Sequence, residues 1–207
     1  AKQQTLASPA YTAATDPAGS GTLTLRFGTI AGAGFTEDTA HAVVPITIPS
    51  GATLADVAAA INGARAGVSA YVANTADGAK LVLKGAEGAA NGFILEATET
   101  VGEEGLANLA WTPAAAPERL LTAASDAAFK VDGLAMTSPT NRAVDAIPGV
   151  TLTLTGTNTG APTTVSFSDP VAAIGEAMKD LTSALSEIAT ELAQDTNAKS
   201  GDLAQDD

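Results

Sequence analysis

The sequence predicts an α+β fold, with two small antiparallel β-rich modules that carry short helices, followed by one long C-terminal helix. Three observations carry this reading. Short runs of period-two alternation recur between clusters of Gly, Pro, Asn and Asp. One internal segment has the start and stop signals of a short helix. Near the C-terminus an unbroken heptad spacing replaces the alternation.

Taken in order, residues 1–20 form an extended entry that turns at Asp16-Pro17 and Gly19-Ser20-Gly21. Residues 22–27 (TLTLRF) alternate as a strand, and residues 42–48 form a second, which Pro45 restricts to an edge or a bulge. The stretch between them, with Gly32-Ala33-Gly34, is expected to be a loop. Residues 53–62 are the short helix. Thr53 caps it, Asp56 sits three residues on as in a capping box, Leu54, Val57 and Ile61 share one face, and Gly63 is expected to end it. Residues 68–73 and 80–83 then pair antiparallel around a turn at 74–78, and residues 93–97 add another strand. Residues 107–117 (ANLAWTPAAAP) are punctuated by proline and expected to connect modules, with Trp111 packed into a crevice between them.

Residues 127–169 are the densest in turn chemistry. Residues 129–131 and 134–137 flank Asp132-Gly133, a dipeptide suited to the positive φ angles of a tight hairpin. Residues 150–154 alternate, as do residues 163–167 after a polar link, and these two are expected to form a second hairpin. Ser138-Pro139-Thr140-Asn141 and Ile147-Pro148-Gly149 supply a reversal and a strand entry.

Asp169 and Pro170 suit the cap and first position of the last helix. From there Val171, Ile174, Met178, Leu181, Leu185, Ile188 and Leu192 follow spacings of three and four, which is the pattern of a coiled-coil or bundle seam. A seam of this kind must be buried, and these seven residues are the candidate helix-packing interface. No other predicted helix is long enough to cover it, so the expected partner is another chain or another copy. The alternative is that the helix folds back on its own sheet.

Composition narrows the function. The 207 residues carry a formal charge of −13, with no basic stripe, which argues against nucleic acid or an anionic membrane as partner. Residues 169–207 hold nine acidic residues against Lys179 and Lys199, more than half of the net charge. The hydrophobic fraction of 45% is largely alanine, with one Trp, two Tyr and five Phe, so two thin cores are expected over one thick core. The absence of cysteine removes disulfides and thiolate sites. No apolar run is long enough to span a membrane as a helix. A start at Ala1-Lys2-Gln3 without initiator Met or signal peptide leads to the expectation of an excised fragment.

No catalytic, cofactor or metal site is expected, and the chain is not expected to be an enzyme. His41 is the single histidine and is read as a surface or strand-edge residue. Glu37-Asp38 and Glu103-Glu104 lack the alternating spacing of a calcium loop. Asp132 is a turn former, and Asp126 and Asp145 are expected to cap local backbone N–H groups.

The wording of residues 126–154, DAAFKVDGLAMTSPTNRAVDAIPGVTLTL, resembles the head region of the bacterial flagellar filament cap proteins, also called hook-associated protein 2. Residues 53–91 are similar to the flagellin-inserted repeat of cap proteins and some flagellins. The resemblance implies a discontinuous first head module at 1–47 and 119–169, an inserted module at 48–118, and the start of a helical leg domain from 170 to 207. It also implies a structural, non-enzymatic role: an oligomeric cap at the filament tip, exported by the flagellar type III apparatus, whose partners are its own copies and flagellin. A flagellin-type filament subunit and a surface adhesion module that binds host or surface glycans are the alternatives.

Overall fold

In the computed structural model residues 1–158, 160–166 and 171–196 are described. The chain divides into two units, Ala1–Thr157 and Asn158–Asp207.

The first unit is built on two antiparallel sheets and one helix. Its strands are β1 (Gln3–Ala7), β2 (Gly21–Ala31), β3 (Gly34–Glu37) and β4 (Val44–Ile48). These precede helix α1 (Leu54–Ala64), and then β5 (Ser69–Thr75), β6 (Gly78–Glu87), β7 (Gly92–Glu99) and β8 (Leu120–Thr122) follow. One sheet has the order β5-β6-β1-β8. In the other, β2 is central: β7 runs along one side of it, while β4 and β3 share the opposite side.

Alternation sends Leu23, Leu25 and Phe27 of β2 inward, where they meet Ile46, Ile48, Phe93 and Leu95. Leu6, Leu81 and Leu83 contribute from the other sheet, and α1 adds Leu54, Val57, Ala58 and Ile61. The capping box of α1 is complete in both directions between Thr53 and Asp56. The helix passes through Gly63, however, and ends at Arg65, which takes the left-handed conformation at φ 52°.

All of these side chains belong to one cluster that runs from Leu6 to Trp111, so the two thin cores expected from composition are a single core. The cause is long-range pairing. β1 lies between β6 and β8, and β2 pairs with β7 over its first eight residues, so ladders join residues 1–47 both to 48–118 and to 119–169. Trp111 is 1% exposed and sits inside this core, not in a connecting link; it exchanges two backbone hydrogen bonds with Leu95 and donates Nε1–H to Ala116 O at 2.7 Å. The stretch expected to be a loop after β2 closes a short hairpin instead, with Ala31 paired to Gly34 and Gly32 at φ 59° in the turn.

Two hairpins complete the unit. β9 (Ala127–Val131) pairs with β10 (Leu134–Ser138) around Asp132-Gly133, as the turn chemistry predicts. β11 (Arg142–Ile147) pairs with β12 (Val150–Thr153) around Pro148-Gly149. The expected partner of β12, residues 163–167, is thus replaced by β11. Residues 163–166 carry no strand, and Phe167 lies outside the described residues. β11 escapes a sequence reading because its alternation breaks at Asp145, which adopts φ 55° where the register shifts between Val144 and Ile147.

In the second unit the main element is α2 (Val171–Asp195), 25 residues and about 37 Å long at 1.5 Å per residue. Asp169, Pro170 and the acidic tail from 197 onward lie outside the described residues.

Candidate functional site

The seven seam residues fall on one face of α2, as their spacing requires. Ile174, Met178, Leu181, Leu185, Ile188 and Leu192 are each 56–61% exposed, and Val171 is 68% exposed. Full burial of a side chain of this type contributes about 1.5–3 kcal/mol, so the face is a substantial reserve of association energy. Around the helix the hydroxyls of Thr182, Ser186 and Thr190 donate to backbone oxygens four residues earlier, at 2.7–2.8 Å. The acids Glu176, Asp180, Glu187 and Glu191 lie on the other side of the helix.

A second arrangement, within the first unit, holds the turn at residues 138–141 against the end of β6 and the start of the chain. The Glu87 carboxylate accepts from Asn141 N at 3.1 Å and from Asn141 Nδ2 at 3.0 Å. Asn141 Nδ2 also donates to Ala1 O at 3.1 Å, and Asn141 Oδ1 accepts from Ala1 N. Asn141 O accepts from Leu154 N at 2.8 Å, tying down the end of the second hairpin. One residue of the distinctive phrase therefore anchors both hairpins to β6 and to the entry strand. Asp126 takes part as a long-range cap: its Oδ1 accepts from Ala89 N at 2.7 Å.

The same device recurs twice. Gln4 and Asn62 each form a two-bond ring with one residue's backbone, Gln4 with Phe93 and Asn62 with Ala70, at 2.7–2.8 Å. Arg119, half-buried, donates to the carbonyls of Ala7, Asn108, Leu109 and Ala110 at 2.7–3.3 Å. Its burial away from solvent lowers its pKa. Gln4 and Arg119 lie outside the phrases that carry the resemblance, and their partners are distant backbone groups.

The acidic and histidine candidates are occupied by local structure. His41 stacks on Phe27 with ring centroids 4.2 Å apart. Glu37 and Glu96 both pair with Arg26 at 2.8 Å. Asp38 accepts from Ala40 N, and Glu104 accepts from Gly102 N. Glu103 accepts from Ser50 Oγ at 2.5 Å. Among the described residues no three His, Asp or Glu side chains are grouped to hold a metal ion. No helix there is long and apolar enough to cross a membrane.

Residues 124–207 match the family model described as flagellar hook-associated protein 2 C-terminus, and residues 22–87 match the flagellin hook IN motif. The solved structure of FliD (HAP2) from Pseudomonas aeruginosa PAO1 is 28% identical, with a TM-score of 0.65; the match covers 95% of this chain and 92% of that one. The D2-D3 domains of the flagellar cap protein FliD from Serratia marcescens match at 25% identity and a TM-score of 0.62, over 79% of this chain and 85% of that one. The D1-D2-D3 domains of FliD from Escherichia coli share the fold at 23% identity and a TM-score of 0.63, over 77% of this chain. The match spans 46% of the length of that three-domain chain. Curated protein sequences gave no match.

Proposed function

The chain belongs to the flagellar hook-associated protein 2 family, the filament cap proteins, and from that premise we propose that it forms the head and the first leg helix of an oligomeric cap. The cap sits outside the cell at the distal end of the bacterial flagellar filament and promotes assembly of incoming flagellin. Its role is structural, its partners are its own copies and flagellin, and the flagellar type III apparatus exports it without a cleaved signal peptide.

The observation that carries this reading is the pairing of a rigid, tightly bonded head with a 25-residue helix whose apolar face is exposed. A plate built on Gln4, Asn141 and Arg119 holds its shape, while Ile174 to Leu192 offer an apolar surface suited to helix packing. The residues Val171, Ile174, Met178, Leu181, Leu185, Ile188 and Leu192 are the leg-packing interface in this proposal.

The test is Leu181→Asp with Leu185→Asp in the full-length protein, scored by swimming motility and filament length. Loss of both, with the head still folded by circular dichroism, is the expected result. Motility and filament growth at wild-type level would overturn the seam assignment.

A further inference from the structure

The outer face of the β5-β6-β1-β8 sheet differs in character from the rest of this acidic chain. On it Ser69, Lys84, Thr5 and Thr122 align across the four strands, and the next row holds the exposed Tyr71 beside Val82 and Ala7, which are buried. Lys80 follows beyond, opposite Ala73. Tyr71 is 46% exposed, and the Lys84 ammonium lies 5.9 Å from its ring centroid. Among the described residues no carboxylate pairs with Lys84, and Lys80 meets only the exposed Asp77 at 3.3 Å. An exposed aromatic flanked by two lysines is the composition of a contact surface.

Charge complementarity favours an acidic occupant, and α2 carries acids along one side. Its acids are set away from the apolar seam, with Asp180 and Glu187 seven residues apart, about 10 Å along the helix. Lys80 and Lys84 are four residues apart on a strand, about 13 Å. Side-chain reach closes the difference. Copies that each carry a charge of −13 repel one another, so a contact between them gains most where cations of one face acids of the next.

We propose that this face, centred on Tyr71 between Lys80 and Lys84, receives the acidic stripe of α2 from a second copy, through Asp180 and Glu187. The contact rests on the self-assembling cap reading but uses the side of α2 away from the seam. Head and leg of neighbouring copies would then be linked in register while the seam stays available for helix packing.

The experiment measures self-association of the full-length protein by sedimentation velocity at low and high salt, with Lys80→Glu/Lys84→Glu and Asp180→Lys/Glu187→Lys as the two variants. Each charge reversal is expected to weaken association at least tenfold, and mixing the two variants is expected to restore it. Carbodiimide cross-linking of isotopically light and heavy copies should join Lys80 or Lys84 to Asp180 or Glu187 between chains. Association unchanged by either reversal, absence of rescue on mixing, or inter-chain cross-links confined to other residues would overturn the proposal while leaving the seam assignment standing. A wild-type protein that stays monomeric would overturn both this contact and the cap reading.

Discussion

The Gln4 side chain is 0% exposed and is bonded to the backbone of Phe93 in both directions: Nε2 donates to Phe93 O, and Oε1 accepts from Phe93 N, each at 2.8 Å. Gln4 belongs to one sheet and Phe93 to the other, so the carboxamide acts as a one-residue strand that joins them. Phe93 itself is fully buried beside Phe27. Both the amide nitrogen and the amide oxygen of this buried group thereby have a hydrogen-bond partner.

Gln4→Ala is expected to destabilise the head by about 2–4 kcal/mol, because it strands a buried N–H and a buried C=O at once. Urea denaturation followed by Trp111 fluorescence measures it. A loss below about 1 kcal/mol would show that the bonds are not needed to hold the sheets together.

At the edge of β5 the Asn62 side chain donates to Ala70 O and accepts from Ala70 N, closing an edge that would otherwise be open to another strand. Asn62→Asp keeps the acceptor but loses the donor, whereas Asn62→Ala loses both. Hydrogen exchange at the Ala70 amide is therefore expected to speed up in Asn62→Ala and to stay slow in Asn62→Asp. Equal exchange in both variants would contradict the pairing.

How far these features could be foreseen follows from how local they are. The Thr53–Asp56 capping box, the Asp132-Gly133 hairpin and the heptad of α2 each lie within a few residues, and each is present as the sequence predicts. Gln4 and Phe93 are 89 residues apart, and Arg119 and Ala7 are 112 apart. A glutamine in a short strand reads as a solvent-facing polar residue until its partner is known. Asn62-Gly63 reads as a helix stop for the same reason. The single core was hidden likewise, since composition speaks to the thickness of a core but not to which strands share it.

Arg119 holds four carbonyls at the margin of the core. Its planar fork reaches oxygens that a single ammonium cannot reach together. Arg119→Lys is expected to cost about 2 kcal/mol despite the conserved charge, on the scale of hydrogen bonds to charged groups. Equal midpoints for wild type and Arg119→Lys in thermal denaturation would refute it.

Stability should fall in acid through carboxylates that cap backbone groups. Hydrogen bonds from Ala107 N and Gly105 N hold the Glu99 carboxyl below its usual pKa, and bonds from Thr53 do the same for Asp56. A depressed folded-state value stabilises the fold above the ordinary carboxylate range of about 3.9–4.3 and is lost as pH falls through the folded value. The urea midpoint is expected to stay flat from pH 7 to about 5 and to drop below about 4. In Glu99→Gln the drop should be shallower; an unchanged slope would remove Glu99 from this account.

Gly78 opens β6 at φ +123°, and a Cβ there would stand 2.2 Å from Tyr11 O. That oxygen cannot move aside, because it accepts from Ala79 N at 2.7 Å while Tyr11 N donates to Ala79 O at 2.8 Å. Gly133 has a positive φ of +85° as well, yet a Cβ there would meet nothing within 4 Å. Gly133→Ala therefore carries backbone strain alone, about 1–2 kcal/mol. Gly78→Ala adds a collision that breaks the Tyr11–Ala79 bridge, for a total of about 3–5 kcal/mol. Chemical denaturation of the two variants side by side separates strain from collision, and equal losses would show that the Tyr11 segment yields instead of resisting.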